Sequence, residues 1–209
     1  MTGVMHGIAD RDAASYHDRI VSGLRAALAD SAREPDPERA VAFFTAAART
    51  SLGDDARLAR PGALKDGETH FSSAGVFFVA PCRTHMILCA EQGFGPEQKH
   101  ARIAINDSRP GHTVASARPA LVPDTDIDPI FRQIQANGRA GCSSYAPVIW
   151  NGEVIGMFFA ACKARRMYDD RDNRAHDLFA AAVAPTWIAR GGAERIAQLA
   201  ERLGPWSPS

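Results

Sequence analysis

Residues 143–164 read SSYAPVIWNGEVIGMFFAACKA. Two strand-like runs, Ser143–Trp150 and Glu153–Ala164, flank the dipeptide Asn151-Gly152. Asn and Gly tolerate positive φ, which a two-residue type I′ turn requires at both central positions, so this spacing predicts a tight β-hairpin. Hairpin-paired strands are antiparallel. Alternation then sends Ser143, Tyr145, Met157, Phe159 and Ala161 to one face, and Cys142, Ser144, Phe158, Ala160 and Cys162 to the other.

Working towards the N-terminus, Ala120–Pro123 is a short strand. SRPGHTVASARP is a brief helix, with Asp107 or Ser108 as cap and Pro110 in its first turn. Ala101–Ile105 alternates as a strand. Ala74–Ala80 (AGVFFVA) is a buried strand, and Pro81–Thr84 turns it into His85–Glu91. On that strand His85, Ile87 and Cys89 share one face, and Met86, Leu88 and Ala90 the other. Between Pro123 and the closing hairpin, DTDIDP leads into a helix expected to run to about Ala136 and to end at Asn137-Gly138.

Both ends of the chain read as helical. Residues 1–12 are expected to fray. Tyr16, Ile20, Leu24, Ala27 and Leu28 form a stripe at helical spacing between Ala13 and Ala29. Asp36 and Pro37 open a second helix carrying Val41, Phe43, Phe44 and Ala47. Residues 51–69 read as a linker with at most a short helical turn. After the last strand a long helix is expected from about Arg174 to Arg190. Gly191-Gly192 interrupts it, and a final piece carries Ile196, Leu199 and Leu203. The division is a helical extension and linker over 1–69, a sheet domain over 70–190 and a helical tail over 191–209. The fold class is α+β: an antiparallel sheet of about six strands with helices on both faces, preceded by a helix pair.

Composition narrows the function. Of 209 residues, 24 are Lys or Arg and 24 are Asp or Glu, and no basic cluster stands out. A phosphate backbone has little to bind on such a chain. No apolar run reaches 18 residues, and MTGVMHGIADRD carries no secretory pattern, so the reading is a cytoplasmic protein away from membranes. Cys82, Cys89, Cys142 and Cys162 are widely spaced and read as free thiols in a reducing compartment. Cys82-x-x-His85 is an isolated half-site, so no metal is expected. Asp124-x-Asp126-x-Asp128 has Pro129 and Gln135 where a calcium loop needs glycine and glutamate, and reads as an acidic helix start. His70, His100 and His176, like Arg165-Arg166, read as solvated.

The stretch PGHTVASARPALVPDTDIDP resembles the central signature of GAF domains, through Gly111, Pro119, Ala120-Leu121-Val122 and Pro123-Asp124. YAPVIWNGEVIGMFFA resembles the family's closing hairpin, with Pro147 in the first strand and Ile155-Gly156 opening the second. The likeness covers about residues 70–190. It implies a six-stranded antiparallel sheet, a small-molecule pocket on one face, and dimerisation through terminal helices, for which the Tyr16–Leu28 stripe is the expected interface.

The resemblance also implies what kind of site to expect. The family's enzymatic branch, the free methionine-R-sulfoxide reductases, uses a catalytic and a resolving cysteine and three acidic contacts to its substrate. Here Pro110 stands where one family cysteine precedes the glycine. Cys142 is the nearest counterpart of the catalytic cysteine. Ser143, Phe159 and Ala161 replace the acids, so a charged amino acid would lack partners. The expectation is a sensory module with an apolar or aromatic ligand held by His112, Ser143, Tyr145, Met157, Phe159 and Ala161, and output through a partner in trans. The rivals are a thiol-dependent redox enzyme using Cys142, and an assembly partner with a vestigial pocket. His85 and His112 are the histidines placed to line a pocket. The sequence names no cofactor.

Overall fold

The computed structural model describes residues 3–105, 108–134 and 138–207, with residues 3–14 as backbone only. Its closing hairpin pairs β5 (Cys142–Trp150) with β6 (Glu153–Cys162) in antiparallel register. Asn151 and Gly152 have φ of 49° and 82°, the positive pair of a type I′ turn. A Cβ on Gly152 would touch nothing within 4 Å, so only backbone strain opposes substitution. Gly152→Val should therefore cost more than about 1 kcal/mol. A melt identical to wild type would contradict the turn.

Four more strands complete one sheet: β1 (Ser72–Val79), β2 (His85–Gln92), β3 (Arg102–Ala104) and β4 (Ala120–Val122). The order is β3-β2-β1-β6-β5-β4, and every neighbour is antiparallel. Pro147 is tolerated because β4 pairs only with Ser143–Tyr145, leaving β5 an edge strand beyond that point. One departure from strict alternation lies in β2. Val76 pairs with Ala90 but Phe77 with Leu88, so the register skips Cys89. This bulge turns Ala90 to the same side as Cys89 and Ile87, away from Met86 and Leu88.

Helices α1 (Gly3–Ser31), α2 (Pro37–Ser51), α4 (Asp170–Ile188) and α5 (Gly192–Leu203) cover one face. The short α3 (Arg109–Ser116), capped by the Ser108 hydroxyl, lies on the other. Asp107, the alternative cap, lies outside the described residues. Helix α1 begins at Gly3, so the expected fraying does not occur over residues 3–12. Helix α4 starts at Asp170, earlier than expected, because Asp169 and Asp172 form a reciprocal capping box.

The stripe on α1 is used inside the chain. Tyr16, Ile20 and Ala27 are buried, Leu24 is half-buried against the core, and only Leu28 is well exposed. The stripe expected to form a dimer interface is thus covered by the protein's own α2 and α4, and gives no reason for a second copy. Residues 51–69 are likewise pinned down. A 3₁₀ turn at Asp55–Ala59 buries Arg57, which donates to Asp172 at 2.9 Å and to the Met167 carbonyl at 2.5 Å. Asp172 also accepts from Tyr16 Oη and the Gly53 amide, both at 2.8 Å.

Several groups read as solvated are interior. Arg165 is buried and pairs with Glu68 and Asp126. His100 bonds Glu38 at 2.9 Å. His70 is partly covered, with Nδ1 buried and unpaired. His176 is fully buried. Ser144 Oγ donates to Asn173 Oδ1 at 2.9 Å, which leaves it to accept from His176 Nδ1 at 2.9 Å.

Burial pushes the His176 imidazole from 6.5 down to about 3. The unfolded chain therefore takes up this proton first, and stability present above pH 6.5 is lost as pH falls towards 3. Glu68, held down to about 2 by Arg165, adds its loss only below about 4.5. The expected result is a melting temperature that declines from about pH 6.5. His176→Phe should make the part above 4.5 shallower, with His70 and His85, also lowered by burial, leaving a remainder, and an unchanged slope there would refute the assignment.

Candidate functional site

The alternation along β5 and β6 divides the protein into two cores. Cys142, Phe158, Ala160 and Cys162 face α2 and α4, while Tyr145, Met157, Phe159 and Ala161 face α3 and the loops. On the loop side residues 123–134 fold back over the strands, and residues 138–141 lead into β5. The helix expected in this segment does not form across its described part, residues 124–134, and Asn137 lies outside the described residues. The reason is local. Asp128 Oδ1 accepts from the amides of Ile130 and Phe131 at 2.9 and 3.0 Å, an Asx turn that competes with a helical start.

Asp126 and Asp128 are ion-pair partners and Asp124 accepts from the Asp126 amide at 3.0 Å, so these acids do not start a helix. Asp128 pairs with Arg109 of α3 at 2.6 Å. Asp126 pairs with Lys65, Arg139 and Arg165 at 2.7–3.2 Å. Thr125, fully buried, donates its amide to the Gly141 carbonyl at 2.9 Å and its hydroxyl to that of Ala140 at 2.5 Å. Both ends of the segment are thus fastened, and Phe131 and Ile134 between them form a roof over β5 and β6.

Beneath that roof lies a cavity of about 30 Å3, with Phe159, Tyr145 and Ala161 as its floor and Phe94, Phe131 and Ile134 opposite. The volume matches about one water, far below the roughly 300–1,000 Å3 of ligand pockets. Phe159 packs against Phe77 and Phe94 with ring centroids 5.8 and 5.5 Å apart. Gly75, its cross-strand partner, makes room for the ring: a Cβ there would come within 2.6 Å of it. Burial pushes the Tyr145 phenol up to about 12, so it is a neutral hydroxyl at pH 7. Ser143 Oγ is buried near Tyr145 but outside hydrogen-bond geometry. Among the described residues lining the cavity none is acidic. Arg132 and Gln133 supply its polar side chains.

Of the residues singled out in the sequence, the fold brings Tyr145, Phe159 and Ala161 together at the cavity. Ser143 and Met157 share their face but lie outside it. His112 is not part of it. The buried face of α3 carries Pro110, Gly111, Thr113 and Val114, which turns His112 to solvent. His85 belongs to a different cleft. Phe94, Phe131 and Ile134 were not foreseen. Their signal is an apolar residue in a polar loop, visible for Phe94 in GFGPEQ but masked for the other two by the helix expected there.

Cys142 is fully buried, faces the helices, and stands directly across from Cys162. Burial pushes the Cys162 thiol well up. All four cysteines are free, and Cys82 alone is exposed. Among the described residues no cluster of three metal-ligating side chains occurs, and no helix is long and apolar enough to cross a membrane.

No family model and no curated protein matches the chain. Solved structures do. The GAF domain of a phosphoenolpyruvate-protein phosphotransferase from Coxiella burnetii superposes with a TM-score of 0.67 at 15% identity, over 85% of this chain and 96% of that one. The corresponding GAF domain from Acinetobacter gives 0.66 at 10% identity, over 83% and 94%. A free methionine-R-sulfoxide reductase from Neisseria meningitidis, in complex with its substrate, gives 0.65 at 17% identity, over 83% and 91%. Identities this low establish architecture alone, and sensors and enzymes both share it. The α+β sheet order, the closing hairpin and these superpositions together make the fold of this chain that of a GAF domain.

Proposed function

We propose that this domain is a small-molecule-binding sensory module whose ligand is apolar or aromatic and sits between the β5–β6 floor and residues 131–134. The observation that carries the reading is the pairing of Phe159 and Ala161 with Phe94, Phe131 and Ile134 around a cavity none of whose described lining residues is acidic. Tyr145 offers one neutral hydroxyl as an orienting contact, as such pockets commonly have. At about 30 Å3 the cavity must enlarge on binding, and the loop-borne roof is the part able to shift while the sheet stays packed. Floor residues alternate with residues that pack into the core beneath the helices, α4 above all. Displacing Phe159 therefore presses on a strand whose other face, through Phe158, meets α4 at His176, 4.7 Å between ring centroids. Output passes from those helices to a protein partner in trans.

The rival reading, thiol redox chemistry in the pocket, depends on Cys142. Its burial on the helix side weighs against it, and no described cavity-lining residue is a cysteine. A thermal-shift screen separates the readings. Stabilisation that grows with concentration is expected from apolar or aromatic compounds. Free methionine sulfoxide as the best ligand would favour the enzyme. A panel with no effect at all would favour a pocket closed by its own side chains.

A further inference from the structure

A second cleft, of about 610 Å3, opens at the far end of the β1–β2 hairpin, between its turn and the C-terminal tail. The turn Ala80–Arg83 is closed by the Arg83 amide on the Ala80 carbonyl at 2.8 Å. It leaves Cys82 exposed at the cleft edge. The Cys82 Sγ lies 3.1 Å from Thr84 Oγ1 and 3.5 Å from His85 Nδ1. His85 is 5% exposed, lines the cleft, and its Nε2 is buried without a partner. Trp206 stacks on the imidazole at 4.9 Å. The tail carrying Trp206 is strapped down by Arg102 of β3, which donates to the Gly204 carbonyl at 2.8 Å and that of Pro205 at 3.3 Å. Ala197 and Ala200 of α5 add apolar wall, and Glu201 is the one carboxylate among the described lining residues.

We infer that Cys82 and His85 form a thiol–imidazole pair that undergoes thiol–disulfide exchange with a low-molecular-weight disulfide seated in this cleft. His85 Nδ1 accepts the Cys82 proton. The thiolate attacks one sulfur of the disulfide, a new bond forms between Cys82 and that sulfur, and the old sulfur–sulfur bond breaks. The departing thiolate takes the proton back from the imidazolium, so Cys82 is oxidised to a mixed disulfide while the small disulfide is reduced to one free thiol. The surroundings suit the step. The Thr84 hydroxyl holds the Cys82 thiol below its ordinary value. Burial, with Arg102 nearby, holds His85 below its own, so it is neutral and able to accept a proton at pH 7. Arg83 in the turn and Glu201 on α5 are the other charged groups at this end. Cys89, Cys142 and Cys162 are buried, so they cannot compete.

The test uses the full chain, native buffer and dipyridyl disulfide, a neutral aromatic probe, with pyridinethione release followed by absorbance and the labelled site found by peptide mapping. One equivalent should react rapidly at Cys82, the other three thiols reacting only on unfolding. Cys82→Ser should remove the fast phase. His85→Gln should slow it at pH 7 by on the order of tenfold or more and move its pH midpoint upward, because without the imidazole as proton acceptor the rate follows ionisation of the thiol alone. Continued silence of the three buried thiols shows that each variant is folded. A fast phase mapping to another cysteine, or one whose rate and pH midpoint survive His85→Gln, would overturn the pair.

Discussion

Asp172→Ala should destabilise the protein by about 3–5 kcal/mol, the scale for breaking a buried pair by removing one partner. Asp172 has no exposed surface, and it receives four bonds from separate parts of the chain: Tyr16 of α1, the Gly53 amide, Arg57 of the 3₁₀ turn and the Asp169 amide. Alanine would leave the Arg57 guanidinium, itself 6% exposed, with the half-exposed Asp169 as its remaining carboxylate. It would also remove the half of the α4 capping box that receives the Asp169 amide, and orphan the Tyr16 hydroxyl. At about 2–4 °C per kcal/mol for a chain of this size, the melting temperature should fall by about 6–20 °C. A drop of less than about 2 °C would show that these elements are held together by other means.

The second large effect concerns the pocket floor. Phe159→Asp removes an aromatic ring from contact with Phe77 and Phe94 and puts a carboxylate where no described lining residue but Arg132, exposed at the rim, could meet it. The cost of an unpaired buried carboxylate is several kcal/mol, and the group relieves it by taking up a proton. Its folded-state pKa is therefore raised, so the penalty is full at neutral pH and shrinks as pH falls through that value. Chemical denaturation at pH 7 and pH 5 should show a smaller deficit at the lower pH, and binding of apolar ligands should be lost at both. An equal deficit at the two pH values would mean that the introduced carboxylate is solvated.

How far the residues foretold the molecule depends on the range of the interactions involved. The Asn151-Gly152 turn, the two faces of β5 and β6 and the α2 cap are set by neighbours within a few positions, and pattern alone reaches them. Arg57 and Asp172 lie 115 positions apart, and Arg165 and Glu68 lie 97 apart. Nothing in either neighbourhood announces such pairs, so charged residues destined for the interior read as solvated. The roof of the pocket failed for a different reason. Asp128 suits a helix cap and an Asx turn alike by sequence; in the fold it accepts from the Ile130 and Phe131 amides and also pairs with Arg109 of α3. With that helix went the view of Phe131 and Ile134 as pocket residues. His112 was misplaced because its helix was recognised but the buried side of so short a helix depends on the sheet beneath it.

The proposed ligand site on the β5–β6 floor is apolar, and none of its described lining residues is acidic. Native mass spectrometry of the protein purified from its own host, wild type beside Phe159→Asp, tests it most directly. A bound apolar or aromatic small molecule is expected on the wild type and not on the variant. A bound amino acid or cyclic nucleotide on the wild type, or the same adduct retained by Phe159→Asp, would contradict it.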